Sequence, residues 1–375
     1  MSNGTGRPVQ PQRILVRGVN WLGDAVMTTP ALQRLREARP SAHLTLLTHI
    51  KLAGLWRGHP AVDAVMTFDS GESVFQVARR VRAENFDLAL VLPNSLRSAL
   101  EVFLAGIPER IGGAQPWRNC FLTRIIPARP GAVPMHKRSV AEIKRLIASG
   151  AASLEKIPTS AHHLHHYLHL VAALGANAEP LAPCIVVDAA EVDAIRRQFQ
   201  LPGNTPLFGL NPGAEYGPAK RWLRERFIAA AVELQKRTGC AWLIFGGSAD
   251  VELAGAIAAA LTHHAPRTTV FNLAGTTSLR ELCAVLKACA VVLTNDTGPM
   301  HLATAVGTPV VVPFGSTSPE MTGPGLPGDP RHQLLQSGAV CAPCFLRDCP
   351  MDFRCMNGIS VERVVEAVLL AHAGR

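Results

Sequence analysis

Four stretches of this chain carry residue types and spacings that could do chemistry. In NWLGDAVMTTPAL, Asn20 to Leu32, Asp24 stands in a glycine turn just after the apolar run RILVRGV. A strand, a glycine turn and an amphipathic helix are the usual parts of a phosphate-binding loop, yet a carboxylate repels phosphate. An aspartate at a helix start is also an ordinary capping residue. In GLNPGAEYGPAKRW, Gly209 to Trp222, a Gly/Pro turn ends a buried strand with Lys220 and Arg221 beside it. Lys220 and free backbone N–H groups in such a turn suit a diphosphate.

The third stretch, Val291 to Gly315, ends a β-branched strand in Asn295-Asp296-Thr297-Gly298 and opens a helix at once. First-turn N–H groups at Thr297 and Gly298, together with the helix dipole, make an anion site, and His301 lies within reach on the same helix. Asp296 and Thr297 read equally well as plain N-cap residues. The loop FGSTSPEMTGPG then follows another strand and suits closure over the same ligand. The fourth stretch, CAPCFLRDCPMDFRC, holds Cys341, Cys344, Cys349 and Cys355 at a spacing that fits zinc, a redox role or plain reduced thiols. The other five cysteines, Cys120, Cys184, Cys240, Cys283 and Cys289, read as core thiols.

Strand-like and helix-like runs alternate from Arg13 onward, which argues a parallel sheet wrapped by helices. Ala176 to Val186 has two prolines and no helical period and reads as a linker. The pattern restarts at Pro206, with helices expected over 224–238, 249–262 and 278–288. Two doubly wound α/β domains, with ligands at the carboxyl ends of strands along a cleft, are the expected architecture. HHLHHYLHL, His162 to Leu170, reads as a helix with Leu164, Tyr167, Leu168 and Val171 inward and its histidines on a solvated face.

At 375 residues, 48% hydrophobic and 17% charged, the composition is that of a globular protein. No apolar run reaches bilayer length, and MSNGTGRPVQPQR lacks the apolar core of a leader, so a cytoplasmic protein is expected. The net charge of +9 is uneven: residues 1 to 150 hold 20 Lys and Arg against 10 Asp and Glu, and the rest 17 against 18. A basic first half suits an anionic partner (nucleic acid, anionic lipid or a phosphorylated substrate) and reads equally as a plain solvated basic surface.

Taken together, WLGDAVMTTPAL, NPGAEYGPAKRW, NDTGPMHLATAVGTPVVVPFGSTSPE and CAPCFLRDCPMDFRCM resemble the heptosyltransferases of glycosyltransferase family 9, most closely the lipopolysaccharide heptosyltransferase II branch. The resemblance runs from Arg13 to about Val368. It implies a GT-B fold, two Rossmann-like doubly wound domains facing across a cleft: an acceptor domain over 13–176, a donor domain over 186–356, and a final helix over 359–373 crossing back to the first. It implies inverting transfer of L-glycero-D-manno-heptose from ADP-heptose to the inner core of lipopolysaccharide, with no catalytic metal and no cofactor, ADP-heptose being a substrate.

By the same resemblance Asp24 is the general base and Lys220 meets the donor diphosphate. Asp296, Thr297, Gly298 and His301 form the donor loop, Thr277 lies against adenosine, and either Asp250 or Glu252 meets the ribose. Arg17, Arg97, Arg118 and Arg124 are candidate contacts to an anionic acceptor, or ordinary solvated arginines. The implied setting is the cytoplasm, with peripheral contact at the inner-membrane surface of a Gram-negative bacterium and no nucleic acid partner. Heptosyltransferase I, an outer-core transferase of the same family, and a non-enzymatic two-domain sugar or nucleotide binder are the alternatives.

Overall fold

The computed structural model describes residues 13–150, 157–266 and 268–374; Met1 to Gln12, within the stretch tested for a leader, lie outside them. Parallel strands covered on both faces need continuous apolar runs, and those runs became strands. In the first unit these are β1 (Arg13–Arg17), β2 (His43–His49), β3 (Ala64–Phe68), β4 (Leu88–Val91), β5 (Glu109–Gly113) and β6 (Arg124–Ile126), in the order β3-β2-β1-β4-β5-β6 and all parallel. Strand order reverses between β1 and β4, the place where open α/β sheets bind ligands. Helices α1 (Leu22–Met27) and α2 (Thr29–Ala38) follow β1, and α3 (Val74–Ala83) and α4 (Leu96–Leu104) cover the sheet. A core of Leu15, Phe68, Val77, Phe86, Val91 and Val102 joins helices to sheet.

The chain then leaves this unit earlier than expected. Gly131–His163, with α5 (Val140–Ala148), groups with the second unit, and α6 (Leu164–Ala172) returns to pack on α2. Long-range contacts hold it there. Arg138 N–H donates to the Cys344 carbonyl at 3.1 Å, and Ile143 packs against Cys341 and Cys344, so the cysteine-bearing segment holds this excursion. The later crossing, between Pro180 and Leu181, falls inside the proline-containing stretch Ala176 to Val186.

The second unit follows α7 (Ala189–Gln198) with β7 (Leu207–Asn211), β8 (Ala241–Ile244), β9 (Val270–Asn272), β10 (Val291–Thr294), β11 (Val310–Phe314) and β12 (Gln333–Gln336), parallel in the order β12-β11-β10-β7-β8-β9. The reversal here lies between β7 and β10. Its helices are α8 (Arg224–Thr238), ended by Gly239 at φ 66°, then α9 (Val251–His264), α10 (Leu279–Ala288), α11 (Gly298–Ala305), the short α12 (Pro319–Thr322) and α13 (Arg354–Asn357), and α14 (Val361–Ala373). The final helix packs on α8, β10, β11 and β12, with Val364, Val365 and Val368 in one cluster with Phe208, Phe227 and Trp242. It is part of the second unit's own layer.

Two other expectations change. Cys120 is exposed and Cys184 half-buried, so three of the five scattered cysteines, Cys240, Cys283 and Cys289, are core thiols. Leu164, Tyr167, Leu168 and Val171 are buried as expected, but His162 is also buried, with its Nε2 2.9 Å from the Gly323 carbonyl, and none of its neighbouring histidines is fully exposed. The observed boundaries also moderate the charge asymmetry. The first unit holds 16 Lys and Arg against 10 Asp and Glu, the second 21 against 18. No helix among the described residues is long and apolar enough to cross a membrane.

Candidate functional site

At the switch point of the second unit, the loops after β7 and β10 are stitched together by asparagines. Asn211 donates to Thr294 Oγ1 at 3.0 Å, Trp222 N–H donates to Asn295 Oδ1 at 2.9 Å, and Asn295 Nδ2 donates to the Pro212 carbonyl at 2.7 Å. This brace brings Lys220 and Asp296 into an ion pair, Nζ to Oδ2 at 2.7 Å, with side chains 13% and 3% exposed. The Thr317 hydroxyl donates to the same carboxylate oxygen, which brings in the loop after β11. Asp296 is therefore not a helix cap. Thr297 is the N-cap of α11, in extended conformation, and its side chain makes no capping bond. Pro299 has no N–H and Met300 N–H donates to the Thr297 carbonyl at 3.0 Å, so the donors open to an anion are those of Thr297 and Gly298.

His301, 5% exposed, lies in the same group. Its Nδ1 is buried and has no hydrogen-bond partner among the described residues. Burial pushes its imidazole down to about 4 against the opposing pull of Asp296, so it is neutral at pH 7. A neutral ring with an unsatisfied nitrogen suits a polar ligand atom.

The cysteine-bearing segment straps the Lys220 loop from outside. Tyr216 lies beneath the ammonium, with Lys220 Nζ 5.0 Å from its ring centre, and its hydroxyl donates to the Phe345 carbonyl at 2.8 Å. Arg347 Nε donates to the Tyr216 carbonyl at 2.6 Å, and Ala219 N–H donates to the Arg347 carbonyl at 3.0 Å. Cys344 and Phe345 N–H both donate to the Ser316 carbonyl, next to Thr317. One strap thus fixes both loops that hold Asp296. Cys341, Cys344, Cys349 and Cys355 face one small enclosed pocket that Ala219 and Ser316 also line. Among the described residues no group of three or more His, Cys, Asp or Glu has metal-holding geometry. Burial raises the thiols of Cys341, Cys344 and Cys355, the last to about 12.

In the first unit Asp24 follows β1 at the other switch point. It is the third residue of α1, half-buried, and the N-cap is Trp21, whose side chain makes no capping bond. The capping alternative for Asp24 does not hold. Its carboxylate instead accepts a hydrogen bond from the Tyr167 hydroxyl of α6.

The candidate arginines divide. Arg17 is buried against Glu101, Nε to Oε2 at 2.7 Å, and stacks over Phe68 at 4.2 Å, while Arg97 reaches the other Glu101 oxygen at 2.8 Å. Arg118 is also fully buried. It donates to the Pro93 and Gly113 carbonyls and to Asn94 Oδ1, has no carboxylate partner among the described residues, and burial lowers it to about 10. Solvated arginine is thus wrong for both Arg17 and Arg118, and Arg124 is exposed.

Thr277 precedes Ser278, the N-cap of α10, and no hydrogen bond or ion pair joins it to the Lys220 group among the described residues. Asp250 is committed to the backbone: Gly247 N–H donates to it at 3.0 Å, and a Cβ on Gly213 would lie 2.4 Å from its carboxylate. Glu252, exposed in the first turn of α9, is the freer acid. Asn295, Thr317 and Tyr216 join the Lys220 group of the second unit, and Tyr167 joins Asp24 in the first, without having stood out as site residues in the sequence. Asn295 sits beside Asp296 in the motif after β10; the rest are placed by contacts from far along the chain.

The model of glycosyltransferase family 9 (heptosyltransferase) matches residues 74–353. Lipopolysaccharide heptosyltransferase 2 of Escherichia coli strain K12 is 31% identical over 318 residues, covering 83% of this chain and 85% of that protein. Lipooligosaccharide heptosyltransferase 2 of Haemophilus influenzae is 30% identical over 320 residues, 83% and 85% of the two chains. The solved structure of E. coli ADP-heptose lps heptosyltransferase II superposes with a TM-score of 0.77 at 26% identity, covering 96% of this chain and 99% of that one. With most of its length matched and two doubly wound units of the GT-B class, the chain belongs to glycosyltransferase family 9, the heptosyltransferases.

Proposed function

We propose that this glycosyltransferase moves L-glycero-D-manno-heptose from ADP-heptose to the inner core of lipopolysaccharide with inversion, with Hep-Kdo2-lipid A as acceptor, as a heptosyltransferase of the II type. The observation that carries this reading is the placement of complementary chemistry at two switch points in a chain of this family. Asp24, a carboxylate that does not cap its helix, stands at one, and Lys220, Asp296 and the start of α11 stand at the other.

An acceptor hydroxyl is a weak nucleophile at neutral pH, and Asp24 takes its proton as the bond to the anomeric carbon forms. ADP leaves with growing negative charge on its diphosphate. Lys220 and the N–H groups of Thr297 and Gly298 stabilise that charge, and His301 Nδ1 hydrogen-bonds a donor oxygen. Asp296 keeps Lys220 in place between turnovers. These groups meet the leaving-group charge themselves, so transfer runs without an added metal or cofactor. Glu252, exposed and without the backbone bond that holds Asp250, is the acid assigned to the ribose, and Thr277 is assigned to the adenosine. The first unit's surplus of basic residues suits the carboxylates and phosphates of the inner core and the anionic inner-membrane surface at which the enzyme works from the cytoplasm.

Incubation with ADP-heptose and lipopolysaccharide truncated after the first heptose, followed by mass analysis of the core, tests this reading. One added heptose and one ADP per turnover are expected, at a rate unchanged by chelator. Transfer confined to acceptor lacking the first heptose would reassign the chain to the I type, and no ADP release with any core acceptor would sink the proposal.

A further inference from the structure

The histidine-rich helix α6 finds a use that its composition does not advertise. Tyr167 is 3% exposed, and Leu164, Leu168 and Val171 around it on the same face are 0–1% exposed. Helix α6 packs on α2, and α2 continues directly from α1 through Thr28, whose N–H donates to the Asp24 carbonyl at 3.0 Å. The phenol and the carboxylate thus sit on two elements locked to each other.

From the hydrogen bond between them the structure assigns Tyr167 as the positioning residue for Asp24: its hydroxyl holds one carboxylate oxygen and turns the other toward the acceptor hydroxyl. This rests on Asp24 being the general base. Asp24 stands three residues into a six-residue helix without capping it, so side-chain contacts such as that of the Tyr167 hydroxyl, rather than a cap, set its torsions. Burial, reinforced by the negative charge of Asp24 and the hydrogen bond itself, raises the phenol well above 10. Tyr167 therefore stays protonated across the working pH range, a fixed donor that does not compete for the acceptor's proton. A base misplaced by about 1 Å loses on the order of 100-fold in rate.

Tyr167→Phe keeps the ring and deletes the donor. It is expected to lower kcat about 10- to 100-fold while leaving KM for ADP-heptose and the melting temperature near their wild-type values. The double variant Asp24→Asn/Tyr167→Phe is expected to be no slower than Asp24→Asn, because the hydroxyl acts through the carboxylate. Replacement of tyrosine by 3-fluorotyrosine, which keeps both shape and donor at Tyr167 and Tyr216, should retain activity. Wild-type kcat in Tyr167→Phe overturns the assignment, as does an equal slowing of Tyr167→Phe in the presence and absence of Asp24. Wild-type turnover by Asp24→Asn would remove the base reading itself, and this assignment with it; an inactive Asp24→Asn beside an unimpaired Tyr167→Phe would remove the assignment alone.

Discussion

The ammonium of Lys220 lies 2.7 Å from a carboxylate oxygen of Asp296, and the two residues stand in loops leaving the neighbouring strands β7 and β10. A donor diphosphate bound here would meet a cation already oriented, at the cost of an anion beside it. Lys220→Ala removes the cation and strands a carboxylate that is 3% exposed with the Thr317 hydroxyl. Breaking such a buried pair from one side costs about 3 kcal/mol. Turnover is expected to fall by about 100-fold or more as leaving-group stabilisation is lost. Adding Asp296→Asn to Lys220→Ala should recover most of the stability and none of the turnover. Thermal melts and ADP-release rates on the wild type and these two variants check this; recovery of turnover in the double variant would show that Lys220 serves the fold alone.

Glu101 is the anion on which two cations of the first unit depend. It is fully buried, accepts from Arg17 Nε at 2.7 Å and from Arg97 Nε at 2.8 Å, and Arg17 is itself 1% exposed. Burial depresses the Arg17 guanidinium and Glu101 opposes that shift. Glu101→Ala leaves Arg17 charged and uncompensated in the core, with an expected loss of about 3–5 kcal/mol in urea unfolding. ADP binding by the folded fraction should persist, since the Lys220 group proposed to take the donor lies in the other unit. A loss below about 1 kcal/mol would mean that water or a neighbour takes over from Glu101.

Local sequence order accounts for much of this arrangement. Helix α8 has the expected bounds because its apolar period runs unbroken to Gly239, whose positive φ ends it. The loops at Asp24, Lys220 and Asp296 are legible because strand, turn and helix follow one another along the chain. What is not legible depends on partners far apart in sequence. Asp24 and Asp296 each have the type and position of a cap, and whether a carboxylate caps or pairs is settled by Tyr167 in one case and Lys220 in the other. Arg118 has the type of a surface residue, and its burial follows from backbone carbonyls at Pro93 and Gly113. The early excursion of Gly131–His163 to the second unit rests on Arg138 meeting Cys344, a pairing across more than 200 positions that no local pattern announces.

Two buried histidines should make the fold acid-sensitive. Burial pushes both His301 and His332 down to about 4, from an unfolded value of 6.5. The unfolded chain therefore takes up protons near pH 6.5 while the native protein does not, so this stability is present above pH 6.5 and is lost as pH falls toward 4. Each histidine accounts for up to about 3 kcal/mol over that window. His332→Gln and His301→Gln should each flatten the decline in unfolding free energy between pH 7 and 5 by up to one proton's worth of slope. Unchanged slopes in both would place the protons elsewhere, in carboxylates or exposed histidines.

At Gly217 the strap of the cysteine-bearing segment presses on the loop that carries Lys220. Its φ is +152°, and a Cβ there would sit 2.5 Å from the Arg347 carbonyl oxygen, the same atom that accepts from Ala219 N–H at 3.0 Å. Gly217→Ala must therefore push Arg347 outward or twist the turn, and either motion pulls Ala219 and its neighbour Lys220 away from Asp296. The expected result is a rise in KM for ADP-heptose of about 10-fold or more and a fall in kcat, since a displacement of about 1 Å is costly in a preorganised charge site. KM for the lipopolysaccharide acceptor should change little. Arg347→Ala is the milder companion: it removes the bond to the Tyr216 carbonyl but leaves the turn free of strain, and should raise donor KM by a smaller factor. A Gly217→Ala enzyme with wild-type donor KM would show that the strap holds the cysteine segment without setting the position of Lys220.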